Sequence, residues 1–84
     1  MLFVTHLSAL PGRYVEAIRI LKNPRIPKDV EIREYLGTFS HFDAILIYEA
    51  PDETSAVEFV GQFAECFKTE TAVAFPPEGY KWTR

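Results

Sequence analysis

Few residues in this chain can carry protons near neutral pH. There are two histidines, His6 and His41, and a single cysteine, Cys66. An imidazole exchanges protons close to pH 7, so His6, at the end of an apolar N-terminal run, is a candidate general base or ligand. Glu49 closes a second apolar run, Ala44-Ile45-Leu46-Ile47-Tyr48. A carboxylate within hydrogen-bond reach of His6 would complete an acid–base pair. Plainer roles compete and weigh more. His6 reads as a solvated strand-end side chain, and Glu49 as the cross-strand partner of Arg33 or a charge near a helix N-terminus. Arg33 and Tyr35 offer a guanidinium and a hydroxyl to a ligand, or to the rim and body of an interface. Arg33, Tyr35, Glu49 and His6 are therefore the expected ligand contacts, with His6 and Glu49 the catalytic candidates.

The remaining polar groups have structural readings. His41 falls in a turn, where polar residues are common. Asp43 can accept turn N–H groups. Cys66, among Phe and Ala, reads as a small apolar filler rather than a nucleophile. Leu10-Pro11-Gly12 holds one glycine and makes no phosphate cradle. Two histidines, one cysteine and scattered carboxylates lack ligand spacing, so neither a metal nor a cofactor is expected.

These side chains need a scaffold. The chain has 84 residues, 48% of them apolar and 25% charged, with a net charge of −3. That bounds it to one globular domain, too apolar for disorder. An acidic chain with no basic stripe is not expected to bind nucleic acid. The N-terminus lacks the basic start of a signal peptide, and no run reaches about 18 apolar residues, so no membrane partner is expected. One cysteine allows no internal disulfide, which suits a cytoplasmic protein.

Leu2 to Leu7 reads as a first strand. Pro11-Gly12 opens a helix of about three turns, in which Tyr14, Ile18 and Leu21 recur at helical spacing. Two prolines keep residues 23–29 irregular, as a plain connection or the rim of a site. Val30 to Leu36 alternates, with Val30, Ile32 and Leu36 on one face and Glu31, Arg33 and Tyr35 on the other. A short link leads into the strand Phe42 to Ala50, which implies an antiparallel hairpin. Asp52 is a good N-cap for a second helix, whose stripe is Ala56, Phe59, Val60, Phe63 and Phe67. Thr69 to Phe75 is a last strand. The domain is expected to span residues 1–76, followed by a tail over 77–84.

Strand, helix, strand, strand, helix, strand is the ferredoxin-like βαββαβ order of an α+β domain. The expectation is a four-stranded antiparallel sheet in the order 4-1-3-2. Strands one and three are central and taken as parallel to each other, and both helices lie on one face. Ala44 to Tyr48 is apolar on both sides, but two helices cover only one of them. The other side is expected to show Arg33, Tyr35, Asp43, Ile45, Ile47 and Glu49. Four or five large apolar side chains left wet there would forgo roughly 1.5–3 kcal/mol each. A second copy packed sheet to sheet would recover that, making a homodimer or higher homo-oligomer. The parities of the first and last strands stay open.

Phe42-Asp43, Glu49-Ala50-Pro51-Asp52 and Lys68-Thr69-Glu70-Thr71 resemble the motifs of the GYD domain family: a Gly-x-Tyr-Asp turn, a Glu-Ala-Pro-Asp helix entry and a late Arg-Thr-x-Thr strand. Ser40 stands where that family usually has Gly, and Phe42 where it usually has Tyr. The resemblance implies a dimeric α+β barrel, the superfamily of small monooxygenases, muconolactone isomerase-like enzymes and stress proteins. The GYD family itself has no established chemistry. The leading functional expectation is binding of a small, mostly apolar organic molecule in a cleft at the sheet face. A cofactor-independent monooxygenase or isomerase using His6 or Glu49, and a regulatory or assembly module without a pocket, are the alternatives.

Overall fold

The computed structural model describes residues 1–79. The tail residues Tyr80 to Arg84, with Trp82 among them, lie outside the described residues. The elements are β1 (Leu2–Ala9), α1 (Tyr14–Lys22), β2 (Glu31–Gly37), β3 (Ala44–Glu49), α2 (Glu53–Val60) and β4 (Phe67–Ala74). Short 3-10 turns follow α2 at Gly61–Phe63 and β4 at Pro77–Gly79. The four strands form one sheet in the order β2-β3-β1-β4, which is 4-1-3-2 read from the other edge. This is an α+β ferredoxin-like arrangement.

Every strand pair is antiparallel, including the central β1–β3 pair. The expectation of a parallel central pair is therefore corrected. The crossover through α1 leaves β2 running in the direction of β1, and the hairpin then reverses β3. Pro11-Gly12 also differs from its expected place in the first helical turn. Leu10 to Arg13 is a β-turn closed by the Arg13 N–H on the Leu10 carbonyl at 3.1 Å, with Gly12 at φ +80°. Only glycine adopts that φ freely, as the third residue of a Pro-Gly type II turn requires.

Strand alternation sorts β1 and β3. Phe3, Thr5 and Leu7 face the core with Ala44, Leu46 and Tyr48. The helices pack on this side. Tyr48 meets Phe59 of α2 edge-on at 5.0 Å, and Phe63 bridges Phe59 and Phe67 with ring centroids 6.0 Å from each. Phe67 continues the helical stripe by spacing, yet it opens β4, because the chain leaves the helix through the 3-10 turn after Gly61.

Asp52 caps α2 by accepting from the Ser55 N–H at 2.8 Å. Its neighbour in space is the proline-rich connection. The Ser55 hydroxyl donates to Asp29 at 3.1 Å. The Gln62 side chain both accepts from the Arg25 N–H and donates to the Arg25 carbonyl, at 2.8 Å each. The connection is thus tied to both ends of α2 by groups that satisfy its backbone.

Candidate functional site

The side of the sheet away from the helices carries His6 and Glu49 of the expected site residues, among half-buried apolar side chains. β1 presents Leu2, Val4 and His6 there, β3 presents Ile45, Ile47 and Glu49, and β4 presents Lys68, Glu70, Ala72 and Ala74. Val4 is central, between Ile47 on one neighbour and Ala72 on the other.

β2 departs from the expected faces. Ile32 pairs with Tyr48 and Glu34 with Ile47, so Arg33 is the extra residue of a β-bulge. The bulge inverts the alternation beyond it. Tyr35 pairs with Leu46 and turns to the helix side, where its hydroxyl donates to the Leu21 carbonyl of α1 at 2.5 Å. Leu36 pairs with Ile45 and turns to the open side, half exposed. Both face assignments are corrected. Tyr35 is a tie between sheet and helix, away from Arg33 and Glu49.

Arg33 and Glu49 do come together. The Arg33 Nε donates to Glu49 Oε2 at 2.7 Å, its Nη2 donates to the same oxygen, and Glu31 lies 3.5 Å from Nη2. The Glu49 hydrogen bond first, then the charges of Glu31 and Glu49, push the guanidinium further toward its charged form. The pair is solvent-exposed, and salt screens such pairs.

His6 and Glu49 share the open face without meeting. His6 stands opposite Ile45 and Glu49 opposite Leu2. Four residues of strand separate the two rows, about 13 Å at 3.3 Å per residue. His6 packs instead on Phe42, with ring centroids 4.4 Å apart, and faces Glu70 across the β1–β4 pairing. Glu70 was not among the residues expected near His6, because the parity of β4 stayed open. The signal was present in the alternation of Lys68 and Glu70 against Thr69, Thr71 and Val73. His41 meets Phe42 edge-on in the turn. Asp43 has the structural role expected of it, but it accepts the Ala9 N–H at the end of β1, at 2.7 Å, rather than a turn N–H.

The helix side holds two threonine hydroxyls that the residue types alone did not single out, beside that of Tyr48. Thr5 and Tyr48 are fully buried, and the Thr5 hydroxyl lies 2.8 Å from both the Tyr48 hydroxyl and the Thr71 hydroxyl. Two clefts open on the same side. One, of about 330 Å³, lies between α1 and the strand ends near Ala9, Thr38, Asp43 and Phe67. The other, of about 370 Å³, lies between α2 and β4. Cysteine Cys66 is buried. Among the described residues no group of three or more His, Cys, Asp or Glu is placed to hold a metal ion, and no helix is long and apolar enough to cross a membrane.

Burial pushes the Tyr48 hydroxyl above the ordinary tyrosine range, outweighing the Thr5 and Thr71 hydroxyls that pull it down, and burial also raises Tyr35. Folded tyrosines that hold their protons longer than unfolded ones stabilise the fold below the unfolded value, near 10. That stability is lost as pH rises through the folded value. Urea midpoints are expected to be insensitive to these two groups at neutral pH and to fall above about pH 10. The fall should be shallower in Tyr48→Phe. Identical slopes in both proteins would show that Tyr48 ionises alike in the two states.

Comparison with protein-family models, curated proteins and solved structures finds no match to this chain. The site is therefore read from its own geometry.

Proposed function

We propose that this chain is a cytoplasmic homodimer assembled sheet to sheet, holding a small, mostly apolar organic molecule in a cleft at the sheet face. The apolar face opposite the helices, where Leu2, Val4, Ile45 and Ile47 stay half-buried, carries this conclusion. Strands of six to eight residues, four abreast, give a face with a projected area of about 400–500 Å². Side-chain relief raises its accessible area toward the roughly 800 Å² per partner of a standard dimer. Covering Leu2, Val4, Ile45 and Ile47 recovers about 1 kcal/mol each, since strand neighbours already shield part of each. Polar groups sit at the margins, with Arg33 and Glu49 at one end and His6 at the other, as a cleft that orients an apolar ligand needs. The GYD-like motifs point to the same dimeric α+β barrel.

An assembly module without a pocket is the second reading. It is favoured by the clefts lying on the helix side and by Glu49 being engaged by Arg33. A monooxygenase or isomerase using His6 with Glu49 would have to bring the two together across subunits, because one chain holds them apart.

Native mass spectrometry of the purified full chain at micromolar concentration tests this. A dimer carrying a co-purified small-molecule adduct is the expected result. A dimer without an adduct, after incubation with apolar extracts, would replace ligand binding by the assembly reading. A monomer would overturn both.

A further inference from the structure

β3 starts beside the cleft of about 330 Å³ on the helix side, at the opposite end of the strand from Glu49. That volume is within the range of small-molecule sites. Asp43 is the one charged residue on its wall among the described residues. The Asp43 N–H donates to the Leu7 carbonyl at 2.7 Å, its carbonyl accepts from the Thr38 N–H at 2.9 Å, and its Oδ2 accepts from the Ala9 N–H at 2.7 Å. These bonds fix the carboxylate and leave Oδ1 without a hydrogen bond among the described residues. Nor does any Lys, Arg or His among the described residues form an ion pair with it. The charge is thus held in place and not neutralised. Two aromatic side chains line the same cleft, Tyr14 from α1 and Phe39 from the hairpin loop, and both are exposed. The Thr38 hydroxyl, donating to the Phe42 carbonyl at 2.6 Å, ties the base of the loop that carries Phe39.

We infer that this cleft binds a small organic molecule with an ammonium head and an apolar body, the ammonium donating to Asp43 Oδ1. The charge of the wall selects the head. A carboxylate already fixed by the backbone meets a cation without being ordered first. The bond it then accepts is charge-assisted and stronger than one between neutral groups. Aromatic faces attract a cation as well, and Tyr14 and Phe39 bring two to the cleft. An anion would meet Asp43 with no positive side chain on the wall to offset the repulsion. A bare divalent cation is a poor fit, because hard cations take six or more oxygen ligands and no cluster of acidic side chains is placed to supply them among the described residues. The rest of the wall selects the body. Ile18 and Leu21 of α1 are half-buried and offer hydrocarbon contact. The Phe39 ring is fully exposed in the free chain, so a ligand that covers it removes apolar area from water. The cleft is on the helix side and needs no second copy of the chain to be complete.

Phenethylamine, protonated at neutral pH, and phenethyl alcohol are near-isosteric and differ in charge, so they serve as probes in amide NMR titrations of the full chain. The amine is expected to shift residues 14–21 and 37–43 saturably and to bind about five- to tenfold tighter than the alcohol, as suits an exposed ion pair that is also hydrogen-bonded. Added salt should shrink that preference. Asp43→Asn keeps an oxygen for the Ala9 N–H and removes the charge, so it should erase the preference and leave the affinity for the alcohol unchanged. Phe39→Ala, at a fully exposed position, should leave the urea midpoint unchanged and weaken the amine by about two- to fivefold. Equal affinities in the wild-type protein, a preference surviving in Asp43→Asn, an amine affinity untouched by Phe39→Ala, or shifts centred on Val4 and Ile47 would each overturn the assignment. So would the lack of any saturable shift. The wild-type comparison and Phe39→Ala decide the matter even if Asp43→Asn lowers stability.

Discussion

Val4→Lys is expected to convert the proposed sheet-to-sheet dimer into a folded monomer. Val4 stands at the middle of the open face, flanked by Ile47 and Ala72 and remote from the hydrophobic core on the other side. In a single chain the long lysine stem lies along its apolar neighbours while the ammonium reaches water, so the fold loses little. In a sheet-to-sheet dimer two-fold symmetry places two such charges in the interface. Each costs several kcal/mol to desolvate without a partner. A total of about 5 kcal/mol weakens association by about 10³–10⁴-fold, at 1.4 kcal/mol per factor of ten. Sedimentation at micromolar concentration would read this as a shift from twice the chain mass to the chain mass, with far-UV circular dichroism unchanged. Glu70→Lys, at the margin of the same face, should change association far less. A Val4→Lys protein that sediments as a dimer would place the interface elsewhere on the molecule.

The element order was legible because its signals are local. Ala44 to Tyr48 reads as a strand wet on neither side, Asp52 as a cap, and the Phe59–Phe63 spacing as a helix. What stayed hidden depends on partners distant in sequence. The bulge at Arg33 has no signature in Glu31-Ile32-Arg33-Glu34-Tyr35, where strict alternation is a sufficient description. The extra residue appears only when the strand is laid against Ile47 and Tyr48, whose inward and outward sides are fixed by the core. One residue of register then moved Tyr35 out of the expected site and Leu36 into the open face. The parity of β1 stayed open for a similar reason. Phe3-Thr5-Leu7 and Leu2-Val4-His6 are both plausible inner faces; the first is the buried one, and there Thr5 finds hydroxyls on β3 and β4. The candidate pair His6 and Glu49 shares a face, yet distance along antiparallel strands, not parity, separates it. The ion pair of Arg33 with Glu49 was the part of the site that residue types did foresee.

Thr5→Val should cost about 1–3 kcal/mol of stability although it conserves shape. The side chain keeps its volume at a fully buried position, so no cavity opens. What changes is the Tyr48 hydroxyl, which loses its Thr5 partner at 2.8 Å and keeps only Thr71 within the buried cluster. A domain of this size is stable by about 4–13 kcal/mol, at 0.05–0.15 kcal/mol per residue, so the loss is a substantial fraction and visible as a lower urea midpoint. Tyr48→Phe removes the donor instead, and Thr5 can still donate to Thr71 at 2.8 Å. Its cost is expected to be smaller, about 0.5–1.5 kcal/mol. With Tyr48 already Phe, adding Thr5→Val strands no buried hydroxyl, so the double variant should be no less stable than Thr5→Val alone. The resulting coupling, of about 1 kcal/mol, is the signature of a direct bond in a double-mutant cycle. Strict additivity would mean that the Thr5 and Tyr48 hydroxyls are satisfied independently.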